Sequence, residues 1–129
     1  MSNSVLLDTS ALLYWTLSPS SLTQKASRAL AKASEICVSG ISLWEIGIKA
    51  GKGKLRLPLP LREFAGRLQS VEKVLLLEVG VEDWLATVEL AWDHRDPADR
   101  VVVATAMRRE IPLITSDVEM RKFYPNVIW

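Results

Sequence analysis

Short apolar runs of strand length alternate with longer segments of helical period, and this alternation leaves few folds open to the chain. Residues 5–7, 36–38, 74–79 and 113–115 are aliphatic runs too short for a helix, so each is expected as a strand. Between them, residues 10–17 carry apolar side chains at helical spacing, with Thr9 or Ser10 available as N-cap, until Pro19 stops the run. Residues 21–33 place Leu22, Ala26, Ala29 and Leu30 on one face. In residues 42–50, Ser42 and Glu45 match a capping box, and the GKGK that follows ends the helix. Residues 61–71 and 81–92 repeat the helical period, and Asp96 before Pro97 reads as the cap of an apolar helix running to Met107. The terminal Val-Ile-Trp can add an edge strand. Strands separated by helices demand crossover connections, so the expected class is α/β, a parallel sheet covered by helices.

At 129 residues and 49% hydrophobic, the chain is expected to form one domain, residues 1–129, with a substantial core. No internal repeat, linker or low-complexity segment interrupts it. Sixteen Lys and Arg against fifteen Asp and Glu leave a net charge of +1, which excludes a large uniform positive field as the means of holding nucleic acid. Any such contact must come from local patches. The single cysteine, Cys37, lies in an apolar stretch with no partner cysteine and reads as a small buried hydrophobe of a reducing compartment. No stretch approaches the roughly 20 apolar residues of a membrane span, and the N-terminus lacks the basic and apolar regions of a signal peptide. A cytoplasmic protein is expected.

Four carboxylates stand out from this scaffold. Asp8 and Asp117 each follow a strand run and are flanked by hydroxyl residues, Thr9 and Ser10 in one case, Thr115 and Ser116 in the other. Delivery at the C-terminal end of a strand puts a carboxylate at the crevice edge where open α/β sheets bind ligands. Helix capping alone would account for either residue taken singly. Glu45 borders the apolar stripe of Ile41, Trp44 and Ile48, although a capping-box Glu paired with Lys49 would look the same. In the DPAD segment Asp96 is explained as a cap, whereas Asp99 lies one turn inside an apolar helix. Asp96 then becomes a possible outer partner, together with Thr9, Thr115 and Ser116. Acids converging in one cleft repel one another unless a cation lies between them, and oxygen ligands suit Mg²⁺ or Mn²⁺. The expected chemistry is metal-dependent attack on a phosphodiester.

The remaining candidates are weaker. Lys49, Lys52, Lys54 and Arg56 form a basic run beside Glu45 that would suit a phosphate backbone or be simply solvated. The lone histidine, His94, reads as a hinge residue between Asp93 and Arg95. His94-Arg95-Asp96 spells the kinase catalytic tripeptide, but Val101 stands where the downstream Asn belongs and no Gly-rich phosphate loop is present. The five tryptophans, Trp15, Trp44, Trp84, Trp92 and Trp129, fall mostly on helical apolar faces and read as core or subunit contacts rather than stacking platforms.

With Asp8, Glu45, Asp99 and Asp117 identified, the chain resembles PIN-domain ribonucleases, and within them the VapC-type toxins of bacterial toxin–antitoxin pairs. LLDTSALLY, the WEI segment, HRDPADRVVVATA and LITSD stand in the family's order over nearly the whole length. The resemblance implies an α/β/α sandwich with four or five parallel strands and endonucleolytic cleavage of RNA with one or two Mg²⁺ or Mn²⁺ ions held by the four acids. It also implies a homodimer and inhibition by a cognate antitoxin. A reading from another class remains beside it, a non-catalytic module whose acidic pocket binds a basic partner peptide.

Overall fold

The computed structural model describes residues 3–129. Its centre is a five-stranded parallel sheet in the order β3-β2-β1-β4-β5, built from β1 (Ser4–Leu7), β2 (Glu35–Ser39), β3 (Val74–Leu77), β4 (Leu113–Ile114) and β5 (Val127–Ile128). Seven α-helices make the crossovers and cover both faces: α1 (Thr9–Leu17), α2 (Gln24–Lys32), α3 (Gly40–Gly51), α4 (Leu61–Ser70), α5 (Val81–Glu89), α6 (Pro97–Arg109) and α7 (Val118–Phe123). The expected three-layer α/β/α sandwich is the observed one.

Strand alternation divides the core into two layers. On one face Val5, Leu7, Ile36, Val38 and Ile114 pack with Leu12, Leu30, Ile46, Phe64 and Leu68. On the other, Leu6, Cys37 and Leu113, which stand opposite one another in register, meet Val101, Val102, Ala106 and Met120. Cys37 is a buried free thiol. Helix α6 is the most enclosed helix, with every residue from Val101 to Ala106 buried. Among the described residues no helix is long and apolar enough to cross a membrane.

Several boundaries differ from expectation, and caps explain most of them. The N-cap of α1 is Asp8 itself, with Thr9 the first helical residue. Helix α3 begins two residues early because Ser39, not Ser42, supplies the capping oxygen, accepting from the Ile41 N–H at 3.2 Å. No Ser42–Glu45 capping box forms, since Ser42 is buried and accepts a hydrogen bond from the Thr9 hydroxyl at 2.9 Å. A 3₁₀ turn at Pro19–Ser21 precedes α2, which starts only at Gln24 because Thr23 caps it. Strand β3 stops at Leu77, not residue 79. Helix α5 stops at Glu89, not Trp92, because residues 90–96 form an irregular segment tied to Arg100.

Candidate active site

The chain adds β2 and β3 on one side of β1, then returns to place β4 and β5 on the other. Connections therefore leave in opposite directions from β1 and β4, and a crevice opens past the carboxyl ends of those two strands. Asp8 follows β1 and Asp117 follows β4, so strand order alone sets them on opposite lips of one opening. Helices α3 and α6 close its other sides. The resulting cleft, of about 270 Å³, is lined by Asp8, Thr9, Ser10, Glu45, Lys49, Asp96, Asp99, Ser116 and Asp117. All four sequence-selected acids meet there.

Each acid is held differently. Asp8 is buried; one carboxylate oxygen accepts from the Ala11 N–H at 2.7 Å and the other from the Thr115 hydroxyl at 2.5 Å. Thr115 is buried too, and its oxygen in turn accepts from the Asp117 N–H at 3.0 Å. One hydroxyl thus ties the β1 acid to the β4 acid. Asp117 caps α7, its Oδ1 accepting from Glu119 N–H at 2.8 Å and Met120 N–H at 3.1 Å. Asp99 sits in the first turn of α6, where Asp96 Oδ1 accepts from its N–H at 3.1 Å. Glu45 is buried on α3 and pairs with Lys49 at 3.0 Å.

The electrostatics record the crowding. Burial, partly offset by the Thr115 and Ala11 hydrogen bonds and added to by the charges of Asp99 and Asp117, pushes the Asp8 carboxyl up to about 6. Asp99 is also raised, first by burial, with Asp96 and Asp117 adding to the shift and His94 opposing it. The Lys49 ammonium is raised by its hydrogen bond to Glu45. Negative charge is therefore concentrated where solvent screens it poorly, and a divalent cation would relieve it. Among the described residues no group of three or more His, Cys, Asp or Glu side chains stands close enough together to hold a metal ion as they are placed. The donor set is oxygen throughout and open to water, which matches Mg²⁺, an ion that keeps several waters and uses few carboxylates.

The other candidates fall out unevenly. Thr115 touches Asp8 directly, whereas Thr9 lines the cleft with its hydroxyl turned to Ser42, and Ser116 lies exposed at the rim. Asp96 lines the cleft while capping α6. Lys49 reaches the cleft; Lys52 and Lys54 line a separate, adjoining cavity, and Arg56 is exposed on neither.

His94 is the residue that sequence reasoning undervalued. Its Nε2 lies 2.7 Å from Asp99 Oδ2. Its ring stacks on Trp92 at 4.5 Å between centroids, and Trp92 stacks on Phe123 at 5.1 Å. Arg100 fixes the same segment from below, donating to the carbonyls of Thr87 at 2.8 Å, His94 at 3.1 Å and Leu90 at 3.3 Å, and also to that of Trp92. The available signal was the alternation Trp92, His94, with Arg100 adjacent to Asp99, but nothing local says that two residues five apart across a proline will meet. Of the tryptophans, Trp15, Trp92 and Trp129 pack against the core from its edge, as expected. None belongs to the fully buried core, and Trp44 and Trp84 are largely exposed.

Comparison with known proteins agrees with this architecture. A family model described as PIN domain matches residues 5–124. The chain is 29% identical to Ribonuclease VapC22 of Mycobacterium tuberculosis, over 97% of this chain and 98% of that protein. Its fold superposes with a TM-score of 0.65 on a chain of a toxin–antitoxin complex from Klebsiella pneumoniae, 21% identical, covering 97% of this chain and 96% of that one. It superposes at 0.63 on Mycobacterium tuberculosis VapC20, described as a sarcin–ricin-loop-cleaving toxin, at 16% identity and 92% and 93% coverage.

Proposed function

The chain belongs to the PIN-domain family, and on that premise we propose that it is a Mg²⁺- or Mn²⁺-dependent endoribonuclease acting as the toxin of a toxin–antitoxin pair in the cytoplasm. The observation that carries this reading is the convergence of Asp8, Glu45, Asp99 and Asp117, from four separate elements, on one cleft. The likeness to a named ribonuclease along nearly its whole length supports it. Asp8, Asp99, Asp117 and Glu45 would hold one or two ions. A bound ion supplies Lewis-acid stabilisation of the charge that builds on a phosphodiester as water displaces one of its ester oxygens.

The chain's own part is preorganisation. Thr115 and the Ala11 N–H fix Asp8 so that its rotamer need not reorganise, and the α7 N-terminus fixes Asp117. The His94 contact holds Oδ2 of Asp99, a residue that lines the cleft. Lys49 puts a positive charge at the mouth, where a phosphate approaching four acids needs one.

For partners, we assign an antitoxin by likeness to the solved complex. An apolar groove of about 290 Å³ between α1 and α4, lined by Trp15, Leu17, Leu59, Phe64, Leu68 and Val71, offers it a surface. We assign a second copy of the chain to the outer face of α5, where Val81 and Val88 are 74% and 79% exposed beside Trp84 and Leu85.

The test is cleavage of mixed cellular RNA by the purified chain with Mg²⁺ or Mn²⁺. Expected are fragments that vanish with EDTA and with Asp8→Asn. A folded chain that cuts no RNA with either metal overturns the reading and leaves the acidic cleft as a binding pocket for a basic peptide, whereas undiminished cutting by Asp8→Asn removes Asp8 from the mechanism.

A further inference from the structure

A second cavity of about 210 Å³ adjoins the acidic cleft and shares Glu45, Lys49 and Asp96 with it as a common wall. Beyond that wall its lining changes character, to Trp44, Ile48, Lys52 and Lys54 facing Pro97 and Ala98. Trp44 and Ile48 are 54% and 42% exposed. Trp44 and Ile48 stand at i and i+4 on α3 and Lys52, its C-cap, follows at i+8, so the three continue one stripe beside that of Glu45 and Lys49.

Lys54 joins them through the end of the helix. Gly53, at φ +72°, takes the left-handed conformation, its N–H bonding to the Ala50 carbonyl and the Lys54 N–H to the Lys49 carbonyl. The chain is turned back there and Lys54 is delivered to the same cavity. Among the described residues Lys52 and Lys54 make no ion pair, whereas Lys49 is engaged by Glu45. A large aromatic surface left in water next to two unpaired ammonium groups is wasteful for stability. It is what a single-stranded nucleic acid requires, a π-face for a base and charge for its phosphates.

We propose that this cavity is a nucleotide subsite: Trp44 stacks the base of a nucleotide flanking the scissile phosphate, with Ile48 extending the apolar floor, while Lys52 and Lys54 take the phosphate on the side away from the acids. The assignment rests on the ribonuclease reading of the adjoining cleft. Its shared wall sets the polarity, because Glu45 and Asp96 repel a phosphate and direct it to the lysine side. Stacking tolerates every base, so the subsite contributes affinity and register more than base identity.

The experiment measures binding of fluorescein-labelled single-stranded oligo(U) and oligo(A) by anisotropy, in an Asp8→Asn background so that the probes survive. Trp44→Ala is expected to raise Kd about tenfold and Trp44→Phe much less. Lys52→Gln together with Lys54→Gln is expected to reduce the slope of log Kd against log salt by about 1.4, the value for two phosphate contacts on a single strand. Probes with abasic positions should bind the parent more weakly than intact probes, and Trp44→Ala should lose that discrimination.

Unchanged affinity in Trp44→Ala overturns the subsite while leaving the ribonuclease reading intact if the unsubstituted chain still cuts RNA. Trp44-dependent binding by a chain that never cuts does the reverse. A chain that binds no RNA overturns both. If Trp44→Ala instead converts a dimer to a monomer with RNA affinity unaltered, the surface belongs to a second copy and the proposal falls.

Discussion

Asp8 makes the sharpest single-residue prediction. Its carboxyl ordinarily titrates near 3.8 and in the fold is pushed to about 6, so between those values the folded chain holds a proton that the unfolded chain has lost. Its contribution is therefore favourable below pH 4 and disappears as pH rises through 6, a loss on the order of 2–3 kcal/mol. Without metal, Asp8→Asn should melt higher than the parent at pH 8, and the gap should close towards pH 4; equal melting temperatures at pH 8 would refute the argument. His94 makes a second prediction. As the residue that orients Asp99, His94→Ala should lower kcat for RNA cleavage roughly 10- to 100-fold with little change in KM. A change confined to KM would mean that it contacts RNA instead. The contrast between these residues shows what could be read in advance. Asp8 and Asp117 were legible because a carboxylate after a strand has a predictable address, whereas His94 owes its place to a ring stack on Trp92, which is itself stacked on Phe123, 31 positions further along the chain, a chain of contacts that no local pattern encodes.

At the scale of elements, strands and helices were legible wherever apolar period and burial agree, as in β1, β2, α4 and α6. They were misplaced where capping chemistry had equivalent candidates. Ser39 and Ser42 are both plausible caps for α3, and only the packing of Ser42 against Thr9 decides between them. The end of α5 was obscured because Trp92 continues the helical period yet packs on Phe123 outside the helix. Two element-level substitutions test this account. Glu110, at φ 54°, ends α6 in the left-handed region without being glycine, so Glu110→Gly should stabilise by up to about 1 kcal/mol in urea unfolding. Arg100→Ala should destabilise by about 2–3 kcal/mol, since it deprives the carbonyls of residues 87–94 of a charged donor. Hydrogen exchange in that variant should quicken in residues 90–96 and leave β1 and β2 protected.

For the molecule as a whole, the cleft and the outer surfaces make separate claims. An ion that binds only the assembled acids stabilises by mass action, about 2.7 kcal/mol at a hundred times its Kd. Mg²⁺ or Mn²⁺ should therefore raise Tm in the parent and much less in Asp8→Asn; a Tm indifferent to metal in both would argue against a preformed site. The exposed stripe of α5 should govern association, so that Val88→Arg yields a monomer by light scattering without loss of fold.

The hydroxyl of Thr115 and the carboxylate it holds on Asp8 are 107 residues apart in sequence. During synthesis the first strand leaves the ribosome long before its neighbour β4 exists, and Asp117 is made later still. A nascent chain therefore lacks the assembled acidic cleft until β4 is in place, and on the proposed reading a product cut short before residue 113 should cleave no RNA in the assay that the full chain passes.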